Sequence, residues 1–163
     1  MSLETFIPSA AQTPGRMNIF KFRDFKVLVD FAHNPAGFNG IKTYLQTIEA
    51  TAHIGVISGT GDRRDEDIIE TARIAAQMFD EVIICQEKYL RGRKQQEIID
   101  LLLTGLKSIK PDLPVEINNN GDEVMKKLVK KAAPGSFITI LSDTIDNAIQ
   151  KVTYYLDKEL DGK

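Results

Sequence analysis

The chain has 163 residues, of which 42% are hydrophobic and 27% charged, and 21 basic side chains against 23 acidic ones leave a net charge of −2. Those figures fit one globular domain that buries a core unaided. They exclude a disordered segment and a general nucleic-acid surface.

Cys85 is the single cysteine, so no disulfide framework or thiolate metal cage forms within the chain. No apolar stretch approaches the roughly 20 residues that span a bilayer. Met1 to Phe6 lacks the basic and apolar regions of a signal peptide. The expectation is a cytoplasmic protein that engages neither membrane nor nucleic acid.

Residues 1–13 have no periodicity and read as a tail or linker, and residues 14–163 read as one domain. Pro14-Gly15 marks a turn. Ile19 and Phe20 through Phe22 form a first strand, paired through a tight turn at Arg23-Asp24 with Phe25 to Asp30. Phe38, Ile41, Leu45 and Ile48 then follow at helical spacing, with Asn34 as the cap and Pro35 at the first helical position. Ile54 to Ser58 is a strand; Ile68, Ala72, Ala75, Ala76 and Phe79 line one helical face. Asp65, Glu66 and Asp67 put negative charge in that helix's first turn, where its dipole favours it.

Val82 to Cys85 is the next strand, with Cys85 as a small buried hydrophobe, and Ile98, Ile99, Leu102, Leu103 and Leu106 share a helical face. Val115 to Ile117 is a short strand, and Val124, Leu128 and Val129 mark a helix. Phe137 to Leu141 is a continuous apolar strand, and Ile145, Ala148, Ile149, Val152 and Leu156 give a final helix. Alternating strands and helices build βα units around a parallel sheet. Continuous apolar runs suit strands covered on both faces. The fold expected is α/β: a Rossmann-like three-layer domain with a mostly parallel sheet of about six strands, an N-terminal β-hairpin and flanking helices.

The segment Asp30-Phe31-Ala32-His33-Asn34-Pro35 lies where a strand ends and a helix begins, the position at which open α/β sheets bind ligands. The plain alternative is that Asp30 ends a strand, Asn34 caps a helix and His33 is incidental. The combination favours nucleotide contact. Asp30 can accept from sugar hydroxyls, His33 can donate to phosphate or ribose, and the helix start offers free N–H groups to an anion.

Gly59-Thr60-Gly61-Asp62-Arg63-Arg64-Asp65 also follows a strand and opens a helix. Arg64 stands where a dinucleotide fingerprint needs its third glycine, and the acid expected about 20 residues later falls at Glu81, at the start of a strand; a nicotinamide or flavin site is rejected. Two arginines on a Gly-rich loop suit a carboxylate or phosphate, which arginine binds bidentately. The plain alternative is that Arg63 and Arg64 are solvated and pair with Asp65 and Glu66. Arg91-Gly92-Arg93 supplies another basic loop, and with Arg16 these arginines suggest an anion-binding rim. The sequence contains no Gly-x-x-x-x-Gly-Lys-[Ser/Thr] phosphate loop and no Gly-x-Ser-x-Gly nucleophile elbow. His33 and His53 lack metal-ligand spacing, and His53 reads as structural.

Pro14-Gly15-Arg16-Met17-Asn18, Val29-Asp30-Phe31-Ala32-His33-Asn34-Pro35, Gly61-Asp62-Arg63-Arg64-Asp65-Glu66-Asp67 and Leu90-Arg91-Gly92-Arg93 occur in that order. Together they resemble the C-terminal domain of the Mur ligase superfamily, and within it that of the cyanophycin synthetases, from about Pro14 onward. The resemblance implies one domain of an ATP-dependent amide ligase, inactive in isolation. In such a ligase ATP phosphorylates a carboxylate and an amine then attacks the acyl-phosphate. ATP and Mg2+ belong to the full-length enzyme, with neither bound tightly here. The phosphate loop and the magnesium ligands belong to a central domain, which is this chain's implied partner.

By the same resemblance Arg16 matches an arginine that reaches the ATP phosphates, and Asp30 an acid at the ribose. His33 and Asn34 line the nucleotide pocket. Asp62, Arg63, Arg64, Arg91 and Arg93 are implied at the site of the incoming amino acid, arginine in a cyanophycin synthetase, and of the aspartate-rich polymer. Phe31 replaces a frequent tyrosine, and Thr60 stands where relatives often carry proline before Gly-Asp-Arg. The rival readings are a stand-alone nucleotide or anion-binding module and a small complete enzyme of flavodoxin-like architecture.

Overall fold

A computed structural model describes residues 17–86, 92–142 and 145–161. The chain opens with a β-hairpin, β1 (Asn18–Lys21) and β2 (Lys26–Asp30). Its turn closes where the Phe22 N–H donates to the Phe25 carbonyl at 2.9 Å and the two rings stack 4.6 Å apart. These phenylalanines belong to the turn, so each strand is shorter than the apolar pattern suggests. Then come α1 (Pro35–Leu45), β3 (His53–Ile57), α2 (Asp65–Met78), β4 (Glu81–Ile84) and α3 (Gln95–Ile109). The chain continues through β5 (Val115–Ile117), α4 (Gly121–Lys131), β6 (Phe137–Leu141) and α5 (Ile145–Asp161).

The six strands lie in the order β1-β2-β6-β3-β4-β5, and only the β1/β2 pair is antiparallel. Strand β6 inserts between β2 and β3: Ile138 pairs with Val27 on one side and Ile54 on the other. Every residue of β6 is buried. Period-two alternation sends Phe137 and Leu141 to one side of the sheet and Ile138 and Ile140 to the other. The first side packs on Phe38 and Ile41 of α1, Ile68 and Ala72 of α2, and Ile98 and Leu102 of α3. The second packs on Val124 and Leu128 of α4 and Ala148 and Val152 of α5. Two covered faces make the expected three layers, and they account for the uninterrupted apolar strands.

Cys85 departs from expectation. Strand β4 ends at Ile84; Cys85 follows it, its N–H donating to the Ile57 carbonyl at 3.0 Å, and is half-buried. The buried residue there is its neighbour Gln86, with no exposed surface.

The helix ends obey local rules. Asn34 Oδ1 accepts the Gly37 N–H at 2.8 Å to cap α1, and Asn120 Oδ1 accepts the Glu123 N–H at 3.1 Å to cap α4. Helix α2 has no side-chain cap and relies on Asp65, Glu66 and Asp67 in its first turn. The hairpin turn is tied to α5, because the Arg23 N–H donates to Glu159 at 2.8 Å.

Helices α2 and α3 approach closely at Gly105. A Cβ there would lie 2.3 Å from the Ile69 carbonyl oxygen and 2.6 Å from the Ala72 Cβ. Gly40, on α1, has no atom within 4 Å of its would-be Cβ. Glycine costs a helix interior about 1 kcal/mol relative to alanine, whereas forcing a methyl into a packed contact costs about 1–3 kcal/mol. The two sites therefore respond oppositely to one substitution. Gly40→Ala is expected to raise the stability measured by urea denaturation by up to about 1 kcal/mol. Gly105→Ala is expected to lower it by about 2 kcal/mol, because a backbone carbonyl must move.

Candidate functional site

The loops after β2, β3 and β4 all emerge at the carboxyl edge of the sheet. Strand β2 leads to α1 on one face, while its neighbour β6 leads to α5 on the other. Connections that diverge from adjacent parallel strands leave a crevice between them, the usual ligand position in open α/β sheets. The ends of β2 and β3 are separated by one strand, roughly 10 Å at the usual interstrand spacing.

Asp30 ends β2, half-buried, with both carboxylate oxygens engaged. Oδ1 accepts the Ala32 N–H and Oδ2 the Met17 N–H, each at 2.8 Å. Met17 has φ +50°, in the left-handed region that side chains other than glycine seldom occupy. That conformation costs about 1–2 kcal/mol, and a charge-assisted hydrogen bond of about 1.5–3 kcal/mol offsets it. Asp30 thus ties the segment entering the hairpin to the loop leaving it. Arg16 and Arg91 lie outside the described residues.

His33 contacts the Phe31 carbonyl through Nδ1 at 3.0 Å. A carbonyl only accepts, so Nδ1 carries the proton, and in the neutral ring Nε2 is an acceptor. The Phe31 ring meets the imidazole edge-on at 4.9 Å and is 44% exposed. The helix start that follows offers an anion less than expected. Pro35 has no N–H, and the Gly37 N–H is taken by the Asn34 cap.

On the loop after β3, the Arg63 N–H donates to the Thr60 carbonyl at 3.2 Å. Asp62 is exposed and forms no ion pair with a described residue. Arg63 is half-buried; its Nε is fully shielded and has no hydrogen-bond partner among the described residues, as is true of the Thr60 hydroxyl. Arg64 follows the plain alternative in kind: it is solvated and lies 3.1 Å from Asp67 and 3.4 Å from Glu66, although Asp67 replaces the expected Asp65. The hydrogen bond from Arg64 holds the Asp67 carboxyl below the usual carboxylate range.

Arg93 is not a free cation. Nε donates to the Gly61 carbonyl at 2.9 Å and Nη2 to the Arg63 carbonyl at 2.8 Å. Nη1 lies 2.6 Å from Asp65 and 2.7 Å from Glu97, and these two acids, Asp65 first, raise the guanidinium pKa further. Gln86 grips the start of the same loop. Its Oε1 accepts the Gly59 N–H and its Nε2 donates to the Gly59 carbonyl, both at 2.8 Å. The Gln86 N–H donates to Asn119 at 3.0 Å, joining the loop after β5, and Gln95 of α3 donates to the Gln86 carbonyl.

The predicted residues Asp30, His33 and Asn34 thus share the loop after β2, and Asp62, Arg63 and Arg64 share the loop after β3, which Arg93 reaches from the segment after β4. Gln86 was not among the residues that the sequence singled out. The available signal was a glutamine directly after an apolar strand, where a buried amide needs backbone partners. Among the described residues no cluster of three or more His, Cys, Asp or Glu could hold a metal ion. None of the described helices is long and apolar enough to cross a membrane.

Residues 15–144 match the family model described as Mur ligase, glutamate ligase domain. The chain is 35% identical over 158 residues to the cyanophycin synthetase of Geminocystis herdmanii, covering 96% of this chain and 18% of that protein. It therefore spans less than a fifth of the length of the curated cyanophycin synthetases it matches. Mycobacterium tuberculosis folylpolyglutamate synthase complexed with ADP has a similar structure, with a TM-score of 0.63 and 25% identity over 88% of this chain and 33% of that one. Escherichia coli FolC in complex with ADP shares the fold, with a TM-score of 0.69 and 15% identity over 90% of this chain and 33% of that one.

Removing the Asn34 cap tests the local account of the first loop. Asn34→Ala is expected to cost about 1 kcal/mol in urea denaturation, and Asn34→Ser to recover most of it. Equal stability of both variants and the parent chain would contradict the cap.

Proposed function

The chain belongs to the Mur ligase family, in its glutamate ligase domain, and from that premise we propose that it serves as the C-terminal domain of an ATP-dependent amide ligase of cyanophycin synthetase type. The observation that carries this reading is that two motif loops leave the same edge of the sheet, one strand apart, in a sequence with no phosphate loop of its own. Such a chain forms one wall of a site. A central domain of the same ligase supplies the γ-phosphate contacts and Mg2+. The similarity to cyanophycin synthetases along nearly all of this chain, but a small share of theirs, supports that division.

In the ligase, a carboxylate oxygen attacks the γ-phosphorus of ATP and ADP leaves. The amine nitrogen of the incoming amino acid then attacks the acyl carbon, and phosphate leaves. Asp30 keeps lone pairs beyond its two backbone bonds with which to accept from ribose hydroxyls. His33 Nε2 faces the same task, and Asn34 sets the loop through its cap. Arg16 is the residue assigned to the ATP phosphates by its match to the family's motif. On the second loop Asp62 receives the guanidinium of an incoming arginine. Arg63, Arg64 and Arg91 hold the acidic polymer; the exposed pairs of Arg64 are weak enough to exchange for a substrate carboxylate. Arg93 serves this site by holding the loop.

Asp62 is the cleanest probe, because it is exposed and unpaired among the described residues, so its loss spares the fold. In the ligase that carries this chain, Asp62→Asn is expected to raise KM for arginine at least about tenfold, the worth of one charge-assisted hydrogen bond. The KM for ATP should stay within about twofold. An unchanged KM for arginine would contradict the assignment, and amide formation by the purified chain alone would contradict the reading as a whole.

A further inference from the structure

The Gly59–Asp65 loop is held from outside, by two side chains that follow β4. Gln86 has no exposed surface, and its amide forms a paired hydrogen bond with the Gly59 peptide, donor to acceptor and acceptor to donor. Arg93 spends its guanidinium on two loop carbonyls and two carboxylates: one N–H on Gly61, one on Arg63, and both N–H groups of Nη1 on Asp65 and Glu97. A guanidinium has five N–H donors, so one remains. Bidentate capture of a substrate carboxylate needs two and would displace a loop contact. An incoming anion would also meet Asp65 and Glu97, whose two negative charges outweigh the one positive charge they share.

We propose that Gln86 and Arg93 are positioning residues that hold the Gly59–Asp65 loop in its ligand-receiving shape before any ligand arrives. The inference rests on the reading of that loop as the amino-acid site. Its consequence is energetic: ordering a loop during binding costs affinity, and a loop ordered in advance avoids that cost. Arg93 bridges the first turns of α2 and α3, and Gln86 links the ends of β3, β4 and β5, so the loop inherits the rigidity of the sheet and of the α2–α3 pair. Asp62 and Arg63 then project from a fixed backbone.

Two variants test this. Arg93→Lys keeps the charge but lacks the planar fork that reaches carbonyls and acids together. Gln86→Met keeps the volume and removes both Gly59 bonds. Amide hydrogen exchange on the 163-residue chain should quicken at Gly59–Arg64 by at least about tenfold in either variant, with β2 and β6 unchanged. In the ligase that carries the chain, KM for arginine should rise about tenfold with kcat within about threefold. Unchanged loop exchange in both variants would overturn the proposal, whatever the kinetics. Faster loop exchange with an unchanged KM would uphold the brace and count against the loop as the amino-acid site.

Discussion

Strand β6 lies in the middle of the sheet although it comes near the end of the sequence. The spacing of the two candidate loops depends on that placement. Strands β2 and β3 have no contact with each other until β6 arrives with Ile138 between Val27 and Ile54. The loop after β2 and the loop after β3 therefore take their final separation from a strand more than a hundred residues downstream of β2. Such non-local pairing incurs a large loop-closure entropy and is repaid only when both faces of the strand are covered. All five residues of β6 are buried, which is the condition it needs. Helices α1 and α5, which follow the neighbouring strands β2 and β6, lie on opposite faces, the arrangement that leaves a crevice at the strand ends of an open α/β sheet.

Around that crevice the residues divide between supports and free groups. Asp30 joins the Met17 and Ala32 backbone, so one carboxylate touches both the residue that enters the hairpin and the loop that leaves it. Asn34 is spent on a helix cap. Gln86 and Arg93 are spent on the loop after β3. What is left facing outward is Phe31, the Nε2 edge of His33, Asp62 and the exposed pairs of Arg64. Buried polar groups that are fully hydrogen-bonded set a structure, whereas exposed charges with loose partners are free to exchange them.

Much of this was legible in the sequence. Helical spacing located the buried faces of α1, α2 and α3, and uninterrupted apolar runs marked strands covered twice, because those patterns report burial directly. Strand order was not legible, since β6 would show the same apolar run at any interior position. Residue type singled out the loops after β2 and β3 but not which of their residues are held by the fold and which stay exposed. Arg93 looks like a substrate cation in sequence because arginine suits both a carboxylate ligand and a backbone carbonyl; only the positions of Gly61, Arg63, Asp65 and Glu97 distinguish the two. Gly105 carried no pattern, as its meaning lies in the helix that crosses it, and Gln86 carried only its place after an apolar strand.

The central claim is that this chain holds one wall of a shared nucleotide site. Isothermal titration of the 163-residue chain with ATP and Mg2+ addresses it directly. The account predicts a dissociation constant of about a millimolar or weaker, worth about 4 kcal/mol at most. Micromolar binding by the unaided chain would contradict it and would indicate a self-sufficient nucleotide-binding module.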